Sequence, residues 1–154
     1  MTRNIADIAP MSHPFIARFI AFAAAIVVAV GVALPRPAAA QDAAIVAVIE
    51  DQLAAFQRND LDAAFAHAAP QIQKKFGSPE NFGHMVRHGY PMIWRPSRYE
   101  YRGLEEPESG FFVKTVLFED AAGQQFEADY IMGLTEGEWR IRGVSLRKLP
   151  GVSS

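Results

Sequence analysis

The sequence contains no cysteine, which excludes disulfides, thiolate catalysis, cysteine-ligated metal and lipid attachment through an N-terminal cysteine. Stability must therefore come from a packed core. A glycine-rich phosphate loop, a G-x-S-x-G elbow and an H-E-x-x-H helix are also missing, so the familiar local signatures of nucleotide binding, serine hydrolysis and zinc proteolysis are absent. Excess positive charge is lacking too, since the net charge is −2 and no basic tail occurs. Nucleic-acid binding draws most of its affinity from neutralised phosphates, so it is not expected.

The chain holds one long apolar run, Phe19 to Leu34, preceded by Arg18 and followed by Pro35-Arg-Pro37 and Ala38-Ala-Ala40. A basic flank, a short apolar core and a small-residue A-x-A site have the layout of a secretory signal peptide. At 16 residues the run is short of the roughly 20 that a spanning helix needs. The expectation is a signal peptide over 1–40, cleaved between Ala40 and Gln41, with a periplasmic or secreted product and no stable membrane insertion afterwards. The leader is more compact if translation starts at Met11 rather than Met1. Cleavage removes three of the 15 basic residues and one of the 17 acidic ones, leaving a mature chain of net charge −4.

Residues 41–154 are expected to form one domain. In Asp42 to Gln57 the apolar residues Ile45, Val46, Ile49, Leu53 and Phe56 share one helical face. Asp60 is placed to cap a second helix, Leu61 to Ala69, which Pro70 stops. A short helical turn over Gln71 to Phe76 ends at Gly77. Ser78-Pro79-Glu80 then opens a third amphipathic helix, with Ser as N-cap and Pro in the first position, and Gly89 is expected to end it with positive φ. Two X-Pro steps, Tyr90-Pro91 and Arg95-Pro96, predict an extended segment without helix. A strand with alternating Tyr99 and Tyr101 follows, then a polar loop over Glu105 to Gly110.

The remainder has the pattern of an antiparallel meander, with Phe111 to Glu119, a turn at Asp120 to Gly123, a strand with Phe126, Ala128, Tyr130, Met132 and Leu134 on one face, and a turn at Glu136-Gly137. In the last strand Trp139 and Ile141 have one parity and Val144 and Leu146 the other. A bulge at Gly143 restores the inward face. The predicted fold class is α+β, with N-terminal helices packed on a curved antiparallel sheet.

Several motifs in fixed order carry a resemblance: Gln52-Leu-x-Ala-Phe-x-x-Asn-Asp60, Ala68-Ala-Pro70, Phe76-Gly-x-Pro79, Gly89-Tyr-Pro-Met-x-Trp-Arg-Pro96 and Trp139-Arg-Ile-x-Gly-Val144 with Pro150-Gly151. Together they resemble the bacterial domain of unknown function 4864 (DUF4864) family over essentially all of the mature chain. That resemblance implies no activity. The element order also resembles the cone of nuclear transport factor 2 and ketosteroid isomerase, a fold that hosts enzymes, binders and dimerisation modules alike.

Three groups are candidates for chemistry. His84 and His88 stand four apart on one helix, but a third and fourth ligand are missing, so no metal is expected. Asp129 shares a strand face with Glu127 and is expected to be solvated. Tyr90, Trp94, Arg95, Arg98 and Tyr101 form an aromatic and basic group suited to a carboxylate or phosphate, or to closing the end of the core. The expected function is a non-catalytic, cofactor-free domain that binds a small ligand or protein partner at the open end of the sheet, with Gly89 to Arg102 lining its mouth. The alternatives are a cofactor-free isomerase or hydrolyase with a pocket acid and tyrosine donors, and a structural module that forms a homodimer. Peptide mass mapping of the exported protein should find Gln41 as its first residue; a mature chain that retains residue 20 would contradict the leader.

Overall fold

The computed structural model describes residues 38–151, so most of the expected leader lies outside the described residues. Among the described residues five helices precede four strands: α1 (Ala38–Gln57), α2 (Leu61–Ala66), α3 (Pro70–Phe76), α4 (Pro79–Gly89), α5 (Pro91–Trp94), β1 (Arg98–Glu108), β2 (Phe111–Glu119), β3 (Gln125–Thr135) and β4 (Glu138–Lys148). The strands pair in the order β1-β2-β3-β4, all antiparallel. The helices cover one face of this sheet, an α+β arrangement as expected.

α1 contributes Ile45, Ile49, Leu53 and Phe56 to the core, all of them buried. Each is worth about 1.5–3 kcal/mol on burial, far more than any difference in helix propensity. Packing therefore fixes the helix. Against it lie Val116 and Phe118 of β2 and Ala128, Tyr130 and Met132 of β3, with Trp139 and Ile141 of β4. The strict alternation in β2, with Phe112, Lys114, Val116 and Phe118 inward, is what a half-covered antiparallel strand requires.

The caps follow chemistry legible in the sequence. Asp60 accepts from the Ala63 N–H at 3.1 Å to start α2, and Ser78 accepts from the Asn81 N–H at 3.2 Å to start α4. Gly77 closes α3 in the left-handed region, at φ 74°. The last hairpin turns on Glu136 and Gly137, both at positive φ, the geometry whose twist matches its flanking strands.

Several expectations are corrected. Pro70 begins α3 rather than merely ending α2, which stops at Ala66, because a first-turn proline lacks only an N–H that the helix would leave unpaired anyway. Gly89 is the last helical residue of α4 and has no positive φ; Tyr90 caps the helix instead, its N–H donating to the Val86 carbonyl. The segment after it is not free of helix. The residues before each proline, Tyr90 and Arg95, are indeed non-helical, but Pro91 then opens the turn α5. The rule on pre-proline residues constrains those residues and leaves the following ones free to coil. Glu105 to Glu108 are strand, with irregular pairing around Pro107, and the turn shrinks to Ser109-Gly110. Leu134 keeps its predicted parity yet is half exposed at the hairpin end.

The bulge in β4 is present. Ile131 pairs with Gly143 and Met132 with Ile141, leaving Arg142 as the extra residue. Beside it, the connection between α2 and α3 docks on the edge of β4. The Ile141 N–H donates to the His67 carbonyl at 2.9 Å, and the Ala69 N–H donates to the Ile141 carbonyl at 2.8 Å.

Among the described residues one charge is buried in these apolar layers. Lys114 is 3 % exposed and donates to Asp42 Oδ1 at 2.8 Å and to the Arg102 carbonyl at 2.7 Å. Asp42 thereby ties the start of α1 to β2. Asp42→Ala should cost about 1–2 kcal/mol in urea unfolding, because it strands a buried ammonium whose partner is partly screened by solvent. Adding Lys114→Met should recover most of that loss. An Asp42→Ala variant as stable as the parent would refute the tie.

Candidate functional site

A cavity of about 490 Å³ opens between α3, α4 and β4. Its walls are apolar because the inward faces of four helices and two strands meet there incompletely. Phe56 comes from α1, Ile72 and Phe76 from α3, and Phe82, Met85 and Val86 from α4. Ile141, Gly143 and Val144 on the bulged part of β4 form the opposite side. Small, apolar, concave spaces with few polar groups are the usual form of ligand sites.

Three polar side chains interrupt the apolar lining besides that of Tyr90. Tyr130 of β3 is fully buried, and its hydroxyl has no hydrogen-bond partner among the described residues. Burial, followed by the neighbouring Tyr101, pushes its pKa well above the usual phenol range. The group is thus a neutral hydroxyl, able both to donate and to accept. An unpaired buried hydroxyl costs about 1–3 kcal/mol, so a bound group that satisfies it would gain correspondingly. Gln52 of α1 is 4 % exposed, and its amide nitrogen donates to the Ala64 carbonyl at 3.0 Å. Lys75 of α3 supplies the one charge that the described residues bring to the lining, with its ammonium 5.5 Å from the Phe76 ring centroid. Among the described residues, no aspartate, glutamate or histidine lines the cavity.

The five residues singled out in the sequence are distributed. Tyr90 lines the cavity, together with its neighbours Gly89 and Ile93. Trp94 is buried against Phe56, with ring centroids 5.3 Å apart, and is flanked by the guanidinium groups of Arg87 and Arg95. Arg95 donates to the carbonyls of Phe56 and Trp94 and to Asn59 Oδ1, closing the C-terminal end of α1. Arg98 pairs with Glu119 at the sheet edge. Tyr101 is half-buried on β1, edge-on to Tyr99, with an unpartnered hydroxyl whose pKa burial raises. Neither Arg98 nor Tyr101 reaches the cavity.

The other candidates are placed as follows. His84 and His88 stack on the exposed side of α4 with centroids 4.1 Å apart, and His88 Nδ1 lies 2.8 Å from the His84 carbonyl. No group of three metal-ligating side chains occurs among the described residues. Asp129 accepts from the Thr115 hydroxyl at 2.7 Å on the sheet face away from the helices.

Gln52 and Tyr130 were not among the residues chosen from sequence, although both left a trace there. Gln52 falls on the spacing of Ile45, Ile49 and Phe56, a polar residue on a buried stripe. Tyr130 has inward parity between Ala128 and Met132. Lys75 left none, because a lysine at a helix C-terminus is ordinary.

The family model described as Domain of unknown function (DUF4864) matches residues 38–154. Among solved structures, the chain is similar to an NTF-2 like protein of unknown function from Silicibacter pomeroyi DSS-3. The two share 20 % identity at a TM-score of 0.51, over 73 % of this chain and 99 % of that one. No curated protein matches the chain.

Tyr130→Phe deletes an unpaired hydroxyl and keeps the ring. In urea unfolding of ligand-free protein it should leave stability unchanged or raise it by up to about 1 kcal/mol. A loss of about 1 kcal/mol or more, the net worth of a satisfied hydrogen bond, would show that the hydroxyl is engaged within the fold.

Proposed function

Since the chain belongs to the DUF4864 family, whose domain has no known function, we propose a role for it from the cavity: non-catalytic binding of a small, largely apolar molecule. The ligand places a hydroxyl or carbonyl group against Tyr130 and Gln52 and leaves through the mouth beside Tyr90 and Lys75. The observation that carries this reading is the fully buried Tyr130 hydroxyl, unpartnered among the described residues, in a largely apolar cavity. The lone lysine and the lack of carboxylates favour a neutral or singly anionic molecule over a cation. Tyr90 is the member of the aromatic and basic group that takes part; Trp94 and Arg95 support the wall behind it. The leader features of residues 1–40 support a periplasmic or secreted setting for this binding.

An isomerase or hydrolyase of this architecture needs a pocket acid to move a proton. The lining supplies a neutral tyrosine and no acid, which favours binding over catalysis. Its form as a cavity rather than a flat face likewise favours a small molecule over a protein partner.

A pair of probes alike in shape tests the polar anchor. 1-Naphthol should bind about fivefold tighter than 1-methylnaphthalene, the worth of one net hydrogen bond, and the gap should close in Tyr130→Phe. Val144→Trp, which fills the cavity, should abolish binding of both while circular dichroism reports an intact fold. Equal binding of the two probes, or binding that survives Val144→Trp, would sink the proposal.

A further inference from the structure

The start of α1 bears directly on what export would leave behind. Ala38, Ala39 and Ala40 are exposed, whereas Asp42 is tied to the buried Lys114 ammonium at 2.8 Å. Residues up to Ala40 can be removed without breaking a core contact, and Asp42 then holds the shortened helix in place. The new first residue is Gln41. Among the described residues no group is hydrogen-bonded to its side chain, so its amide is free to react.

We propose that the exported domain carries pyroglutamate at position 41, formed from Gln41 after the leader is removed. This rests on the cleavage expected between Ala40 and Gln41. The α-amine of Gln41, in its neutral form, attacks its own side-chain Cδ. A C–N bond to the amine forms, the bond from Cδ to the amide nitrogen breaks, and the nitrogen leaves as ammonia with the proton given up by the amine. No oxidant, reductant or second reactant is consumed.

The surroundings favour the cyclised form. A free α-ammonium would sit at the positive pole of α1, where a cation is disfavoured. Ring closure removes that positive charge from the helix start. The lactam ring also restricts the first residue much as proline does, and proline is well suited to the first turn of a helix. The product is a neutral, rigid N-terminus that ordinary aminopeptidases do not attack.

Mass spectrometry of the N-terminal peptide, from protein exported by its own leader, tests this. The expected peptide begins at residue 41, weighs one ammonia less than its sequence and resists amine acetylation. Pyroglutamyl aminopeptidase should remove one residue and expose Asp42. The variant Gln41→Ala should be processed at the same bond and keep an amine that acetylates. A peptide that starts at Gln41 with its full mass would overturn cyclisation while upholding the cleavage site. One that starts elsewhere would overturn cyclisation by removing its premise.

Discussion

The bulge in β4 and the clamp beside it are the constraint on which the rest of this structure depends. Arg142 is the extra residue, and immediately before it both backbone groups of Ile141 are taken by the connection between α2 and α3. Two short hydrogen bonds of this kind protect a sheet edge that would otherwise offer unpaired donors and acceptors. They also set where the helices lie. α3 follows directly from this anchor, and the cavity lies between it, α4 and the bulged strand. Gly143 and Val144, just past the bulge, supply its wall. A continuous β4 would turn Val144 to the opposite face.

The chemistry of the gap follows from its position. Helix and strand faces selected for core packing are apolar, so a space left between them inherits an apolar lining. Against that background a single unpaired hydroxyl has energetic weight, because the low local polarity makes both its desolvation and any new bond to it larger than in water. Tyr130 is paired across the sheet with Lys114 and Val144, which fixes its ring at the inner end. Lys114 itself is satisfied by Asp42 and the Arg102 carbonyl. The buried charge is therefore a structural tie, and of the unpartnered buried groups it is the Tyr130 hydroxyl that belongs to a cavity-lining residue.

Much of the fold was legible because its signals are local. Ser78-Pro79 announced α4, the parity of Phe126 to Met132 announced β3, and the change of parity between Ile141 and Val144 announced the bulge. What failed was also local in origin. Pro91 keeps Tyr90 out of the helix, but its own fixed φ suits a first helical turn, so the short helix α5 follows where the X-Pro rule alone predicts extended chain. The acidic run around Pro107 resembles a loop in composition, yet it continues the edge strand β1, where exposed charge and proline are tolerated. The site was less legible than the fold. Trp94 and Arg95 drew attention as an unusual pair, and the structure uses them to close the end of α1. Gln52, Tyr130 and Lys75 come from three separate elements, and only the docking of α3 against β4 brings them together. No spacing within one element could have announced that convergence.

The claim that binds these parts is that the space between α3, α4 and β4 is open and holds a molecule that satisfies Tyr130. A crystal structure of the protein purified from its native compartment tests it most directly. The account predicts electron density for a small molecule in the cavity, with an oxygen or nitrogen atom within about 3 Å of the Tyr130 hydroxyl. A cavity closed by its own side chains, with that hydroxyl bonded to the protein, would contradict it.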